Sequence, residues 1–311
     1  MTNIFNHILY TPKNFSEQNL KFFLNDASRL FSIKKPLEGF YFNGCQTEKV
    51  SLVGLLLTYK FLEYSVINNK FIRPRCKFSS SFDAEMLKNS FYDLIYSFIN
   101  NAPQRYDKFK FARDKDLFFL APIVLDKTKK DSTVNLFADK ISQYYNYDEI
   151  IFSVVLQILA ETASNFMGHA ENDMRSILVA KGDRSKFQLC CADTGIGIIS
   201  NLNKIFRNNI PKLLPHQILL KSLERGVTSD PSPVSGHMGS GLWIINNYVT
   251  AAKGELYLYS ENTYLINKKG KITAGKSPYW KGTVISLTLP LVKPSVFLEE
   301  IDNMEKTLTL L

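Results

Sequence analysis

The sequence has only four cysteines and four histidines, and their spacing argues against a metal or disulfide framework. Cys45, Cys76, Cys190 and Cys191 form no CxxC pair, and none lies at metal-ligand spacing from two histidines. We therefore expect no zinc site and predict that the four thiols are reduced and partly buried.

Long apolar runs are also missing. The most apolar stretches, such as residues 150–160, are too short to cross a bilayer, and the N-terminus lacks a basic region followed by a long apolar one. We therefore expect no membrane span and a soluble, cytoplasmic protein. Apolar residues still make up 45% of the 311 residues, enough for a substantial core, which excludes disordered and collagen-like chains.

The formal net charge is +9, and most of the basic excess lies in residues 1–140. Three basic groups stand out: Arg73, Arg75 and Lys77; Arg105, Lys108 and Lys110; and Lys127, Lys129 and Lys130. Such residues could meet nucleic acid, anionic lipid or an acidic partner, or form an ordinary solvated face. Because no helix-turn-helix, RNP or zinc-finger pattern accompanies them, nucleic-acid binding is only weakly supported.

A polar, charged stretch at residues 126–133 predicts a linker, and we place a domain boundary near residue 133. Before it, the apolar pattern predicts strands at residues 40–44 and 71–78 and helices at residues 51–68 and 84–100. This order suggests that residues 1–133 form a small α/β domain with a right-handed crossover. The element order is weakly similar to that of STAS-type domains.

Residues 134–311 form the second predicted domain. Helices are predicted at residues 134–143, 147–169, 216–225 and 241–252, and strands at residues 176–182, 186–192, 255–260, 263–267 and 283–289. Between residues 198 and 236 the chain is rich in Asn, Pro and Ser, which we interpret as a long mobile insertion with one helix.

Three polar side chains interrupt the apolar helix predicted at residues 147–169. Glu161, Asn165 and His169 are each four residues apart, and four residues advance a helix by about 400°, so successive side chains are offset by only about 40°. All three therefore project from one face. A carboxylate, a carboxamide and an imidazole in this arrangement indicate a site for a metal or an activated water.

Two segments rich in glycine follow this helix. In the first, an apolar strand ends in Asp193-Thr-Gly195-Ile-Gly197. The carboxylate can accept a hydrogen bond from a ligand, and the glycines allow the backbone to approach that ligand closely.

The second glycine segment directly precedes a predicted helix. Gly236, Gly239 and Gly241 would leave backbone N–H groups free at the helix N-terminus, where the helix dipole favours phosphate. Taken alone, this segment could equally be an ordinary tight turn.

In this order and spacing, the three segments resemble the motifs of the GHKL superfamily. That superfamily includes gyrase-type and MutL-type ATPases, the kinase domain of sensor histidine kinases and the anti-sigma-factor kinases. Glu161-x-x-x-Asn165 is similar to the N box, Asp193-x-Gly195-x-Gly197 to the first glycine box, Gly236-x-x-Gly239-x-Gly241-Leu242 to the second, and Gly282-Thr283 to the start of the closing strand. The resemblance covers roughly residues 134–292 and implies a two-layer α/β sandwich.

The resemblance implies that the site binds ATP with Mg²⁺. Asn165 would be a ligand of the metal, and Glu161 would orient or deprotonate the attacking water or hydroxyl. Asp193 would accept a hydrogen bond from the adenine amino group, with support from Thr283.

The same resemblance assigns the phosphate contacts. Gly236, Gly239, Gly241 and Leu242 would lie against the triphosphate, and residues 198–236 would be the ATP lid. The stretch that begins at Gly226 resembles the Gly-x-Thr-Ser segment of the lid. Its Thr228 would be a further nucleotide contact.

Two features of the sequence differ from the superfamily pattern and argue against two of its known functions. No histidine followed by acidic and basic residues precedes the ATPase region, which disfavours an autophosphorylating sensor kinase, and the residues after Pro290 are too few for a transducer domain. We therefore expect ATP hydrolysis or phosphoryl transfer that signals to the N-terminal domain or to a protein partner. A noncatalytic ATP-sensing module, a serine protein kinase of the anti-sigma type and a homodimer are left open.

Overall fold

The computed structural model describes residues 7–72, 74–104, 117–169, 175–206, 212–228, 239–300 and 302. It is 46% helical and 29% strand and contains both parallel and antiparallel sheets, so the predicted mixed α/β class is confirmed. A five-stranded antiparallel sheet and a three-stranded parallel sheet organise these residues.

In its described residues, the N-terminal part contains the parallel sheet, four α-helices and a 3-10 turn at Glu17–Asn19. Its strands are β1 (His7–Tyr10), β2 (Asn14–Phe15), β3 (Phe40–Gly44), β4 (Lys49–Val50) and β5 (Arg75–Phe78). Its helices are α1 (Leu20–Phe31), α2 (Leu52–Ile67), α3 (Ser80–Lys88) and α4 (Phe91–Ile99). The sheet order is β1-β3-β5, and β2 pairs separately with β4.

The elements predicted for this part differ from the structure mainly in extent. The strand at residues 40–44 is confirmed, but the helix predicted at residues 84–100 is two helices. Ser90 adopts a left-handed conformation, with φ of 57°, between α3 and α4, and this ends the first helix. Strand β5 begins at Arg75, later than predicted, and Phe71 forms an isolated bridge with Leu37 instead of belonging to the strand. The apolar pattern predicts neither β1 nor α1.

The five-stranded sheet has the order β6-β7-β8-β10-β9. Its strands are β6 (Phe118–Leu125), β7 (Ser176–Gly182), β8 (Lys186–Ala192), β9 (Glu255–Lys268) and β10 (Lys271–Pro290). The predictions for β7 and β8 are confirmed, whereas β9 and β10 form one long hairpin instead of three short strands. Lys269 and Gly270 make its tight turn, both with positive φ.

Among the described residues, five α-helices pack on one face of this sheet. They are α5 (Lys130–Tyr145), α6 (Glu149–His169), α7 (Ile198–Phe206), α8 (Pro215–Lys221) and α9 (Gly241–Ala251). Successive strand residues point to opposite faces, so Leu178 and Leu189 belong to the core under these helices. Val179 and Cys190 belong to a second core, shared with α1 and α2 on the other face.

The stretch predicted as a linker begins a helix instead. Asp126 Oδ1 accepts the N–H of Thr128 at 2.9 Å, a 3-10 turn follows at Lys127–Lys129, and α5 starts at Lys130. An aspartate that binds a backbone N–H two residues on is a common way to start a helix. Strand β6 precedes residue 133 and pairs with β7, but the division into domains 1–133 and 134–311 stays a prediction.

Helix α6 carries Glu161 and Asn165 and is the longest helix in the described part of the chain. Its span Glu149–Gly168 is long and apolar enough, by length and composition, to cross a membrane, contrary to the expectation that the apolar runs are too short. Half of that span is buried inside the structure, and Val154 and Ile158 lie in the core against the sheet. Core helices of soluble proteins pass the same test, so the arrangement is consistent with the expected absence of a membrane span.

A buried ion-pair cluster joins α2 to the start of β7. Lys60 and Glu63 are 1% and 2% exposed, and their side chains are 2.6 Å apart. Arg175 Nε donates to Glu63 Oε1 at 2.6 Å, and the Tyr59 hydroxyl donates to the same oxygen at 2.8 Å. Lys60 Nζ also donates to the carbonyl of Arg175 at 2.8 Å. The cluster therefore gives both carboxylate oxygens of Glu63 a partner, as burial of a charge requires.

Candidate functional site

A cavity of about 340 Å³ lies on the helical face of the five-stranded sheet. Residues predicted from the sequence to form the site line it: Glu161, Asn165, Asp193, Gly197, Thr228, Gly239, Gly241, Leu242 and Thr283. They come from segments that are far apart in the chain, at α6, the end of β8, the start of α9 and strand β10. The fold thus brings residues from all four predicted motifs to one cavity.

Gly195, Gly236, Ser229 and His169 are not among the lining residues that the structure describes. Gly195 is not part of the lining, but its N–H donates to Asp193 Oδ1 at 2.6 Å and so helps to fix that carboxylate. Gly236 and Ser229 lie outside the described residues. His169 is the last residue of α6.

The region predicted as one mobile insertion contains two helices in its described part, α7 and α8. Ile199 and Leu202 of α7 are buried in the main core, which anchors this segment to the sheet. Farther along, Gly226 has φ of 81° and donates its N–H to the carbonyl of Gly239 at 3.0 Å. This bond holds the predicted lid segment against the second glycine segment.

Asp193 is held firmly at the end of β8. It is 3% exposed, its N–H donates to the carbonyl of Thr283 at 2.9 Å, and its own carbonyl accepts the indole N–H of Trp280 at 2.9 Å. Together with the Gly195 contact, these bonds fix both the backbone and the carboxylate. A fixed acceptor next to a cavity suits recognition of a donor on a rigid, flat ligand.

Gly282 makes the close packing around Asp193 sterically feasible. Its φ is 98°, and a Cβ built there would overlap Asp193 Oδ1 and lie 2.7 Å from the nitrogen of Gly195. Any other side chain would therefore displace the carboxylate or the first glycine box. The Gly282-Thr283 pair is predicted as a motif, but this steric role is visible only in the structure.

Strand β9 caps helix α7 next to the first glycine box. Ser260 Oγ accepts the N–H of Ile198 at 2.8 Å, and Glu261 Oε1 accepts the N–H of Ser200 at 2.7 Å. These bonds satisfy orphan donors at the start of the helix. Neither residue is predicted from the sequence, because a cap supplied by a distant strand leaves no local pattern.

Glu161 and Asn165 occupy neighbouring turns of α6 at the cavity wall. Burial raises the pKa of Glu161, and the positive charge of Lys130 partly offsets this shift. Asn165 Nδ2 and Thr162 Oγ1 are buried and have no hydrogen-bond partner among the described residues. Buried polar groups are normally paired, so a ligand in the cavity would supply the missing partners.

Helix α9 presents its N-terminus to the same two side chains. A Cβ at Gly241 would lie 2.7 Å from Glu161 Oε2 and 2.8 Å from Asn165 Nδ2, so glycine is needed for this approach. Ser240, the N-cap residue, makes no side-chain cap. The Ser240 side chain therefore does not cap the first backbone N–H groups of α9, which lie at the cavity. N–H groups at a helix N-terminus favour the binding of an anion.

The lining suits a metal that is shared with a ligand better than a site made by protein alone. Among the described residues, no group of three or more His, Cys, Asp or Glu could hold a metal ion. Asn165 and Glu161 supply oxygen donors of the kind that Mg²⁺ prefers, and rotation of the Asn165 amide exchanges its nitrogen and oxygen. Mg²⁺ usually takes further ligands from phosphates, so the donors present fit a magnesium–nucleotide complex.

Six polar residues of the described lining are not predicted: Lys130, Thr162, Ser164, Asn201, Ser222 and Ser240. Lys130 lies in the predicted linker and Asn201 in the predicted insertion, so neither had a motif to mark it. Asn201 is 5% exposed and accepts a hydrogen bond from Lys204 Nζ at 3.4 Å.

A scan of protein-family models and a search of curated proteins each find no match to this chain. The cavity and its lining residues are therefore what point to a function.

Proposed function

We propose that this chain is a Mg²⁺-dependent ATP-binding protein of the GHKL type. The two-layer sandwich of that type would correspond to the five-stranded sheet and helices α5 to α9. One observation carries the proposal: residues of all four sequence motifs, far apart in the chain, line one cavity of about 340 Å³. Ligand sites of small molecules are typically of this size.

Asp193 is proposed to select adenine. Its carboxylate is fixed by the Gly195 N–H, and its backbone N–H donates to the carbonyl of Thr283, which also lines the cavity. Adenine presents an amino donor that the carboxylate can accept, whereas guanine presents a carbonyl oxygen at the equivalent position. Two acceptors would face each other with GTP, so ATP should bind more tightly.

Glu161 and Asn165 are proposed to act on the phosphates. Asn165 would hold Mg²⁺ through its amide oxygen, and Mg²⁺, when bound, would neutralise phosphate charge and polarise the group that is transferred. Glu161 would accept the proton of the attacking water or hydroxyl. Burial raises the pKa of this carboxyl towards the range in which a general base works best.

The phosphoryl acceptor decides between three outcomes. With water, the protein is an ATPase; with a serine of a partner, it is a protein kinase; with neither, it is a sensor whose partner affinity follows the nucleotide. We further propose that the protein acts in the cytoplasm with a protein partner, and a homodimer would also fit. Phosphate release from the purified chain, with and without Glu161→Gln, separates the ATPase from the other two.

Calorimetric titration of ATP and GTP, with and without Mg²⁺, tests the nucleotide site. We expect ATP to bind in the presence of Mg²⁺, GTP to bind at least about tenfold more weakly, and Asp193→Ala to lose the preference. Equal affinity for the two nucleotides would contradict the role of Asp193. Absence of binding by either nucleotide would contradict the proposed function.

A further inference from the structure

The cavity lining carries more negative than positive charge, although the proposed ligand is itself a polyanion. Among the lining residues that the structure describes, the charged side chains are Glu161, Asp193 and Lys130. Two carboxylates and one cation would repel a polyanion unless the cation and the metal face the phosphates. Lys130 is therefore the side chain in this set that can offset phosphate charge directly.

Lys130 reaches the cavity from an unexpected part of the chain. It is the first residue of α5, its side chain is exposed to solvent, and it lines the same cavity wall as Val134, one turn later. In the sequence it belongs to the basic group with Lys127 and Lys129, which has no other assigned role. An exposed lysine at a cavity mouth is free to move toward a bound anion.

The neighbouring lysine behaves differently. Lys129 Nζ lies 3.9 Å from Asp126 Oδ2 within one helical turn, and its side chain is 71% exposed. It is absent from the described cavity lining. The two lysines thus share sequence context and exposure, but only one lies at the cavity, which makes Lys129 a matched control.

We propose that Lys130 binds the terminal phosphates of the nucleotide in this cavity. The inference rests on the proposed function and adds a phosphate contact from outside the segment that carries the sequence motifs. It also changes the role of the basic group: one of its lysines recognises a small polyanion instead of contributing to a nucleic-acid or lipid surface.

The contact would make affinity depend on phosphate number. AMP lacks the terminal phosphates, so its affinity should not involve Lys130, whereas ATP should gain from the ion pair. Because exposed charges are screened by salt, the part of the ATP affinity that depends on Lys130 should also fall as ionic strength rises.

Calorimetric titration of AMP, ADP and ATP with Mg²⁺ tests this inference on four full-length proteins: wild type, Lys130→Met, Lys130→Arg and Lys129→Met. We expect Lys130→Met to weaken ATP binding by at least about tenfold, with AMP affinity unchanged and a shallower salt dependence. Lys130→Arg should retain most of the ATP affinity, and Lys129→Met should bind like the wild type.

Two results would overturn the inference while leaving the nucleotide site in place. ATP affinity in Lys130→Met equal to that of the wild type would show that the lysine is merely solvated. An equal loss for AMP and ATP would show that it acts on the fold instead of on the phosphates. If the wild type binds no ATP, the proposed function fails first, and this inference fails with it.

Discussion

Two partly or fully buried polar clusters in this molecule differ in whether their hydrogen bonds are complete. In the closed cluster, formed by Lys60, Glu63 and Arg175, both oxygens of Glu63 accept hydrogen bonds from within the chain. In the open cluster, formed by Glu161, Thr162 and Asn165, two buried polar atoms have no partner among the described residues.

The difference separates structural from functional burial. A closed cluster stabilises one arrangement of the chain and leaves nothing for a ligand to do, whereas an open cluster costs free energy until a ligand completes it. Strained or unsatisfied groups are retained where function needs them. We therefore expect substitutions in the closed cluster to change stability and those in the open cluster to change binding.

The largest effect should follow from Glu63→Gln in the closed cluster. Two cations would lose their buried counter-charge, so the free energy of unfolding should fall by about 3–5 kcal/mol, measured by urea denaturation. Glu48→Gln is the matched control, because the Lys13–Glu48 pair is exposed at 71% and 64% and should be worth at most about 1 kcal/mol. Equal effects of the two substitutions would remove the distinction.

Asn165→Ala should give the next largest effect, on binding. Loss of the amide removes the proposed metal ligand, so Mg²⁺-dependent ATP affinity should fall by roughly 10- to 100-fold, measured by calorimetry. The free energy of unfolding should change little, since the substitution removes a buried amide nitrogen that has no partner. Asn203→Ala, at an exposed position of α7, is the control and should bind ATP normally.

Gly241→Ala tests the contact between α9 and the open cluster by adding a single methyl group. The new Cβ would lie 2.7 Å from Glu161 Oε2, so the open cluster or the start of α9 must shift. We expect ATP affinity to fall several-fold while helix α9 stays folded, because alanine is a better helix former than glycine. Unchanged affinity would mean that α9 does not need to touch the cluster.

Glu161→Gln should have the smallest effect on stability, and its sign is informative. Burial raises the pKa of Glu161 above its ordinary value of 4.5, so the folded state is favoured when this carboxyl is protonated and loses that stability as pH rises through the folded pKa. Glutamine does not ionise, so the variant does not lose this stability as pH rises. It should therefore be more stable than the wild type at pH 8 and equal to it in acid, with turnover absent at both.

A pH-independent difference in stability would contradict this origin of the effect. Thermal unfolding of both proteins across the pH range is the measurement. A glutamine that left turnover intact would instead remove Glu161 from the proposed chemistry.

The sequence predicts the parts of the site that depend on local spacing. Glu161 and Asn165 share a helix face because of their four-residue interval, and Asp193 follows an apolar strand whose bounds agree with β8. The start of α9 likewise follows from the glycines before an apolar helix. In each case the signal lies within one turn or one strand end.

What depends on distant pairing could not be predicted in this way. The cap that Ser260 and Glu261 place on α7 joins residues about 60 positions apart, and β6 joins a sheet whose other strands follow residue 133. Lys130 could not be predicted as a site residue, because a charged stretch predicts a linker unless Asp126 is recognised as the start of a helix. Tertiary contacts of this kind leave no periodic pattern in the chain.

The most direct test of the account is the thermal shift that MgATP produces in three proteins: wild type, Glu63→Gln and Asn165→Ala. A ligand at 100 times its Kd stabilises the folded state by about 2.7 kcal/mol, whatever the starting stability. We predict that wild type and Glu63→Gln gain the same free energy from MgATP and that Asn165→Ala gains little or none. An equal gain in Asn165→Ala, or no gain in the wild type, would contradict the claim that the open cluster is the ligand site.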